Sequence, residues 1–308
     1  MMITPDVIGI DVSKRHLDIF DGSTGRLVRL ANEAQAIGQL ADRWRGRFVV
    51  FEATGVYDAV LRSALAGAGV AFARVNPTQA RHFAKAAGFL AKTDQVDARM
   101  LAVLGGALGP RPAEPADESR ERLGRLQKRR DQLVAARKQE RTRKADASDA
   151  DLLQDIARHL DFLDQQIAAL EDRVARLIAE TPSLKRTSEL VSSIPGIGPV
   201  TAATLIALMP ELGSRSAKTI AALAGLAPLN NDSGQRLGQR SVRGGRKRVR
   251  DALYMAAVAA SRSNSRFKDA YKQLRTRGKP PKLAFIALAR RLITTANAIV
   301  KNQQPFAA

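Results

Sequence analysis

The 308-residue chain contains no cysteine. Disulfides and thiolate zinc sites are therefore excluded. Its three histidines, His16, His82 and His159, are too few for a His-rich metal centre. Any metal must then be held by oxygen, which favours Mg²⁺ or Mn²⁺. No apolar stretch reaches the roughly 18 to 20 residues needed to cross a bilayer. The N-terminus, Met1-Met2-Ile3-Thr4-Pro5-Asp6, lacks the basic and apolar regions of a signal peptide. No basic amphipathic helix carries exposed Trp or Phe, so membrane binding has no support. A cytoplasmic, nucleoid-associated protein with no membrane partner is the expectation. Acidic residues are also in deficit, with 30 Asp and Glu against 50 Lys and Arg for a net charge of +20.

What is present describes a folded chain with enough length for about two domains. Hydrophobic residues make up 45% and charged residues 26%, which excludes a disordered polyelectrolyte. The surplus charge is concentrated. Residues 1–110 hold 13 basic and 10 acidic side chains, and residues 111–182 hold 15 of each. Residues 183–308 hold 22 basic against 5 acidic. A face of that kind attracts polyanions through phosphate contacts and counterion release.

The pattern along the chain divides it into three. Residues 1–110 read as an α/β layer: strands over Asp6–Asp11, Leu17–Phe20 and Leu27–Leu30, a helix over Glu33–Arg45, and a continuous apolar strand over Arg47–Ala53. A helix over Tyr57–Ala66, a strand over Val70–Val75 and helices over 78–87 and 94–108 follow. The order β-β-β-α-β-α-β-α-α predicts a layered fold that opens with a meander. Pro110–Pro115 reads as a linker. Residues 111–182 are helical, with Leu153, Ile156, Leu160, Leu163, Ile167, Leu170, Val174 and Leu177 alternating in steps of three and four. That is a coiled-coil seam, equally suited to a helical hairpin, an intermolecular coil or two bundle helices. The Ala145–Asp149 stretch breaks it from the weaker seam of 117–144. Residues 183–308 are helical, with Gly and Arg clusters between helices.

Three motifs carry chemistry. The first is an acidic set in a basic chain. Asp11 ends the run Val7-Ile8-Gly9-Ile10, and Glu52 ends Phe48-Val49-Val50-Phe51. Asp94 and Asp97 lie three apart, on one face of a helix. Carboxylates so placed can converge on divalent cations for two-metal phosphoryl transfer. Each also has a plainer use: Asp11 as a turn residue, Glu52 as a partner for a surface Arg, Asp94 as an N-cap with Asp97 at N3. The second is Ile194-Pro195-Gly196-Ile197-Gly198, a helix-hairpin-helix-like turn. Gly196 and Gly198 would let backbone N–H groups approach a phosphate beside a helix N-terminus, or would simply make a tight turn. The third spans Asn230–Arg250 and holds Arg236, Arg240, Arg243, Arg246, Lys247, Arg248 and Arg250. Arginine forks on Gly-rich backbone suit phosphate clamping. Ser233, in Asp232-Ser233-Gly234, is either a nucleophile on an exposed turn or a local hydrogen-bonder.

These residues match a known group. The chain resembles the DEDD-type insertion-sequence transposases, which include Piv-type DNA invertases and bridge-RNA-guided recombinases. The resemblance rests on Gly9-Ile10-Asp11-Val12-Ser13-Lys14, Phe51-Glu52-Ala53-Thr54-Gly55-Val56-Tyr57, Val75-Asn76-Pro77 and Lys92-Thr93-Asp94-Gln95-Val96-Asp97-Ala98-Arg99. Further on it rests on Ile194–Gly198, Ala224-Gly225-Leu226-Ala227-Pro228, Asp232–Gly234 and Arg250-Asp251-Ala252-Leu253-Tyr254-Met255. Some relatives have Glu where this chain has Asp232. The resemblance implies a RuvC-like, ribonuclease-H-type N-terminal domain, a coiled-coil arm and a helical transposase domain. It implies Asp11, Glu52, Asp94 and Asp97 as Mg²⁺ ligands, and Ser233 as the nucleophile that forms a covalent phosphoserine with DNA. A site shared by residues so far apart in sequence is composite, completed within one chain or between protomers. The implied partners are donor and target double-stranded DNA, a structured bridge RNA in the guided branch, and further copies of the chain as a dimer or a tetramer built as a dimer of dimers.

Two other readings stay open on sequence. A RuvC-like structure-specific nuclease or junction resolvase would use the acids with water and not need Ser233. A non-enzymatic nucleic-acid-binding scaffold would keep the acids for structure.

Overall fold

The computed structural model describes residues 6–53, 55, 57–89, 93–113, 117–229, 241–263 and 265–307. The chain forms two compact units, divided between Ala116 and Asp117.

A five-stranded sheet underlies the first unit. β1 (Val7–Val12), β2 (His16–Asp21) and β3 (Leu27–Ala31) form an antiparallel meander joined by short turns. Two parallel strands, β4 (Phe48–Glu52) and β5 (Ala71–Val75), add to the other side of β1, giving the order β3-β2-β1-β4-β5. Parallel pairing needs a crossover, and helices α1 (Ala34–Ala41) and α2 (Ala59–Gly67) supply it. This topology is compatible with a ribonuclease-H-like domain. The helix expected over Glu33–Arg45 is shorter: α1 stops at Ala41, and residues 42–44 tighten into a 3₁₀ turn that buries Trp44. Local helix propensity yields there to the gain from placing the indole in the core.

Both faces of the sheet are covered, so most residues of its central strands are apolar. Ile8, Ile10, Leu17, Ile19, Val49 and Phe51 pack on one face with Ile37, Trp44, Leu61 and Leu65. Val7, Phe20, Val50 and Val75 pack on the other with α3 (Pro77–Ala86) and α4 (Asp94–Leu108). Glycine decides how close α4 comes. A Cβ on Gly9 would lie 2.0 Å from the Ala98 carbonyl oxygen and 2.4 Å from the Ala102 nitrogen. On the helix side, a Cβ on Gly105 would lie 2.7 Å from methyl groups of both Val7 and Val50. The helix backbone therefore rests directly on β1. It runs antiparallel to that strand, with Gly105 over Val7 and its first turn toward the Asp11 end.

The second unit is helical apart from the two-residue strands β6 (Pro228–Leu229) and β7 (Ser241–Val242). Strands that short carry no periodicity and were not expected. α5 (Glu118–Asp146) and α6 (Ala150–Glu180) form an antiparallel hairpin. Arg130 pairs with Glu171, Arg137 with Asp164, and Glu140 lies beside His159. Ile156, Leu163, Ile167, Leu170, Val174 and Leu177 are buried along α6, the last five in clusters with Leu123 and Leu133 of α5. The base of the hairpin shares a core with Leu184 of α7 (Pro182–Ser192) and Ile206 of α8 (Pro199–Leu208).

The main core of this unit joins α7 and α8 to α9 (Ala217–Leu223), α10 (Lys247–Ala260), α11 (Arg266–Thr276) and α12 (Pro281–Asn302). α12 departs from the expectation about apolar length. Among the described helices it alone is long and apolar enough to cross a bilayer, with a mean hydropathy of 1.5. Its Leu288, Leu292, Ile293 and Ala296 are fully buried in the core. A helix at the centre of a bundle is apolar on several sides for that reason alone.

Candidate active site

Strand register brings the first two acids together. Ile10 of β1 pairs with Phe51 of the parallel strand β4. The next residue on each strand is Asp11 and Glu52, so the two carboxylates stand side by side at one sheet edge. Alternation places both on the face that α4 covers, with Gly9 and Val50. α4 begins at this edge because Thr93 caps it, the Thr93 Oγ1 accepting from the Val96 N–H at 3.3 Å. Thr93, and not Asp94, is thus the N-cap. Asp94 and Asp97 fall in the first turn, where the helix dipole favours negative charge.

All four acids line one cavity of about 590 Å³, together with Pro77, Arg81 and Lys85 of α3. The influences on Asp11 all act one way. Burial pushes the Asp11 carboxyl up to about 6, and the charges of Asp97, Asp94, Asp18 and Glu52 push in the same direction. A half-buried carboxylate surrounded by four others is a strong attractor for a cation. The oxygen-only donor set fits Mg²⁺ or Mn²⁺. Among the described residues, no three acidic or histidine side chains are close enough to hold one ion as they stand.

Two residues that the sequence reading passed over belong to this edge. Asp18 is only 3% exposed and sits opposite Asp11 in the β1–β2 register. Arg29, opposite Asp18 on β3, grips it with two hydrogen bonds, Nε to Oδ1 at 3.0 Å and Nη2 to Oδ2 at 2.9 Å. The same Nη2 donates to Asp94 Oδ2 at 3.0 Å. Alternation in Leu17-Asp18-Ile19 is the signal that could have placed Asp18 on the Asp11 face. Arg81 and Lys85 were also missed. They are one turn apart on α3, but only tertiary packing shows which way that face looks. Asp58 is a useful contrast: it is fully buried, yet Arg62 and Arg74 both contact its carboxylate, at 3.1 and 2.6 Å.

In the second unit, Ser233, Arg236 and Arg240 lie outside the described residues. Arg243 is exposed, immediately after β7. The other basic residues of this segment have internal partners. Arg246 makes a bidentate pair with Glu211 at 2.6 and 2.7 Å. Burial pushes the Glu211 carboxyl up, but the hydrogen bonds and charge of Arg246 outweigh it and hold the group below its ordinary range. Lys247 reaches Asp251 at 2.5 Å, and Arg248 reaches Asp131 at 2.6 Å. Arg250 donates to the Gly244 carbonyl at 2.7 Å. The α7–α8 turn holds Gly196 at φ 91°, pressed on α10: a Cβ there would lie 2.5 Å from the Ala256 carbonyl oxygen. Gly198 is exposed at the N-terminus of α8 with open space around it.

Comparison with known proteins agrees along the whole chain. A transposase family model of the DEDD type matches residues 8–143, and the model of the transposase IS116/IS110/IS902 family matches residues 188–272. The chain is 30% identical over 314 residues to the pilin gene-inverting protein of Moraxella lacunata, covering 97% of each. The pilin gene-inverting protein of Moraxella bovis shows the same identity and coverage. An insertion element IS116 protein of 44.8 kDa from Streptomyces clavuligerus is 35% identical over 150 residues, 47% of this chain and 37% of that protein. With a relative matched from end to end and family models on both units, the chain belongs to the IS116/IS110/IS902 transposase family, alongside the pilin gene-inverting proteins.

Proposed function

We propose that the protein is a DNA recombinase that cleaves strands at the four-acid cavity with a divalent metal and forms a covalent intermediate through Ser233. The observation that carries the reading is the convergence of Asp11, Glu52, Asp94 and Asp97, from three separate elements, on one cavity. The 97% mutual coverage with proteins named for inverting a pilin gene supports a DNA rearrangement. Mg²⁺ or Mn²⁺ held by these acids would supply Lewis-acid polarisation of the scissile phosphate. Arg81 and Lys85 line the same cavity and offer positive charge to the phosphate oxygens as negative charge builds there.

Ser233 enters on its Asp232-Ser233-Gly234 motif and the family resemblance. Its Oγ attacks phosphorus, an Oγ–P bond forms, and one phosphate–sugar bond breaks to release a deoxyribose hydroxyl. The phosphoserine keeps the bond energy, so that another strand's hydroxyl can displace the serine without ATP. In this reading the substrates are donor and target duplexes, the working form is a homo-oligomer, and a structured RNA selects the target by base pairing.

Covalent trapping tests the proposal. Cleavage of labelled DNA should leave a denaturation-resistant protein–DNA adduct, absent from Ser233→Ala together with cleavage. Full cleavage by Ser233→Ala without any adduct would assign the cut to water and make the protein a nuclease.

A further inference from the structure

We propose that Arg29 is a built-in counter-cation that withholds Asp94 from the metal and so sets the cation affinity of the four-acid cavity. The inference rests on the metal-binding reading of that cavity and concerns a residue of β3, two strands from Asp11.

Asp11, Asp18 and Arg29 lie in one row across β1, β2 and β3. Asp18 is buried, and Arg29 is its bidentate partner at 2.9 and 3.0 Å. A buried carboxylate fixes the guanidinium firmly, because separating the pair would leave a charge out of water. Thus anchored, Nη2 turns its remaining hydrogen to Asp94. Asp94 therefore stands between two concavities. One is the 590 Å³ cavity it shares with Asp11, Glu52 and Asp97. The other, about 420 Å³, is lined by Arg29, Thr93, Asp94 and Gln95. The Asp94 oxygen that Arg29 holds cannot also coordinate an ion without competition from that hydrogen bond.

The two halves of the Arg29 contact differ in strength. The Asp18 half is desolvated on the carboxylate side. The Asp94 half is open, with Arg29 52% and Asp94 56% exposed, so solvent screens it and it shifts an equilibrium by at most about fivefold. A contact that weak can be exchanged for a dication, while Arg29 stays anchored on Asp18. Asp94 is then the adjustable ligand of the set, and Arg29 the positioning residue that adjusts it.

The test is calorimetric titration of the full-length protein with Mn²⁺, without DNA. Arg29→Gln releases Asp94 and should tighten Mn²⁺ binding by about fivefold. Because that variant also removes a positive charge, Asp18→Asn with Arg29→Gln is the decisive form. It removes one charge of each sign, replaces the buried pair by two amides, and should still bind Mn²⁺ more tightly than wild type. It also answers the question if Arg29→Gln alone fails to fold. Asp11→Asn is the control for the cavity itself. If Asp11→Asn weakens binding but the double variant binds no more tightly than wild type, Arg29 is only a brace on the sheet and the proposal falls while the metal reading stands. If Asp11→Asn binds Mn²⁺ as wild type does, the metal reading falls and takes the proposal with it.

Discussion

The surroundings of Asp11 in the first unit and the basic stretch of the second treat charge in opposite ways. At the sheet edge of the first, Asp11 is half-buried among four other carboxylates, and every one of them raises its proton affinity. In the second, three described arginines of a strongly basic stretch have internal partners: Arg246 with Glu211, Arg248 with Asp131, Arg250 with backbone carbonyls. The first arrangement costs stability in isolation, and the second adds to it. A cluster held against its own repulsion points to a ligand of opposite charge, whereas a satisfied ion pair points first to structure. Charge count alone would have ranked the two the other way.

The first way to break this contrast is to move α4. Gly9→Val puts a side chain where the Ala98 and Ala102 backbone now lies, and should destabilise the first unit by about 3 kcal/mol or more. Thermal melting of the variant checks this, and its Mn²⁺ binding should fall with it because Asp94 and Asp97 travel with the helix. Next in size is Arg246→Ala. It strands the partly buried Glu211 and should cost about 1 to 3 kcal/mol in denaturant unfolding. A loss no larger than for an exposed arginine would show that the pair is not structural.

Asp11→Asn should do the reverse in chelator at pH 8. Its folded-state carboxyl is raised from 3.8 to about 6, so the native state binds the proton more tightly than the unfolded chain does. Stability from this group is therefore lost as pH rises from about 4 to about 6, and the penalty is complete above that window. That rise corresponds to about 3 kcal/mol, which solvent screening of this half-buried group reduces to ~1–2 kcal/mol. The variant should melt higher than wild type at pH 8, with the gain shrinking toward pH 4. An equal melting temperature at pH 8 would remove the electrostatic conflict from the account. The smallest effect belongs to Arg243→Ala. Stability should not change, while DNA affinity falls evenly across sequences and the salt slope drops by about 0.9.

Much of the first unit could be read in advance because its constraints are local. Strand ends fix Asp11 and Glu52, and a three-residue helical spacing fixes Asp94 and Asp97. The glycine of Val7-Ile8-Gly9-Ile10-Asp11 explains how strand and helix meet, but its partner Gly105 becomes visible only once the two are packed. Asp18 and Arg29 were passed over for a similar reason: each is ordinary alone, and only register across three strands makes them a relay to Asp94. In the second unit sequence shows the charges and hides Glu211 and Asp131, which are 35 and 117 residues away from Arg246 and Arg248, so these ion pairs become visible only in the fold. The packing of Gly196 on α10 likewise becomes visible only in the fold.

The central claim is that the four converging acids cut DNA. The most direct measurement is strand cleavage in Mg²⁺ of a supercoiled plasmid carrying the DNA that flanks this reading frame, using protein purified with its bound nucleic acid. Asp11→Asn is compared with wild type after both are shown to bind the DNA equally. The account predicts cleavage by wild type and none above background by the variant, at undiminished DNA affinity. Equal cleavage by the two proteins would contradict it.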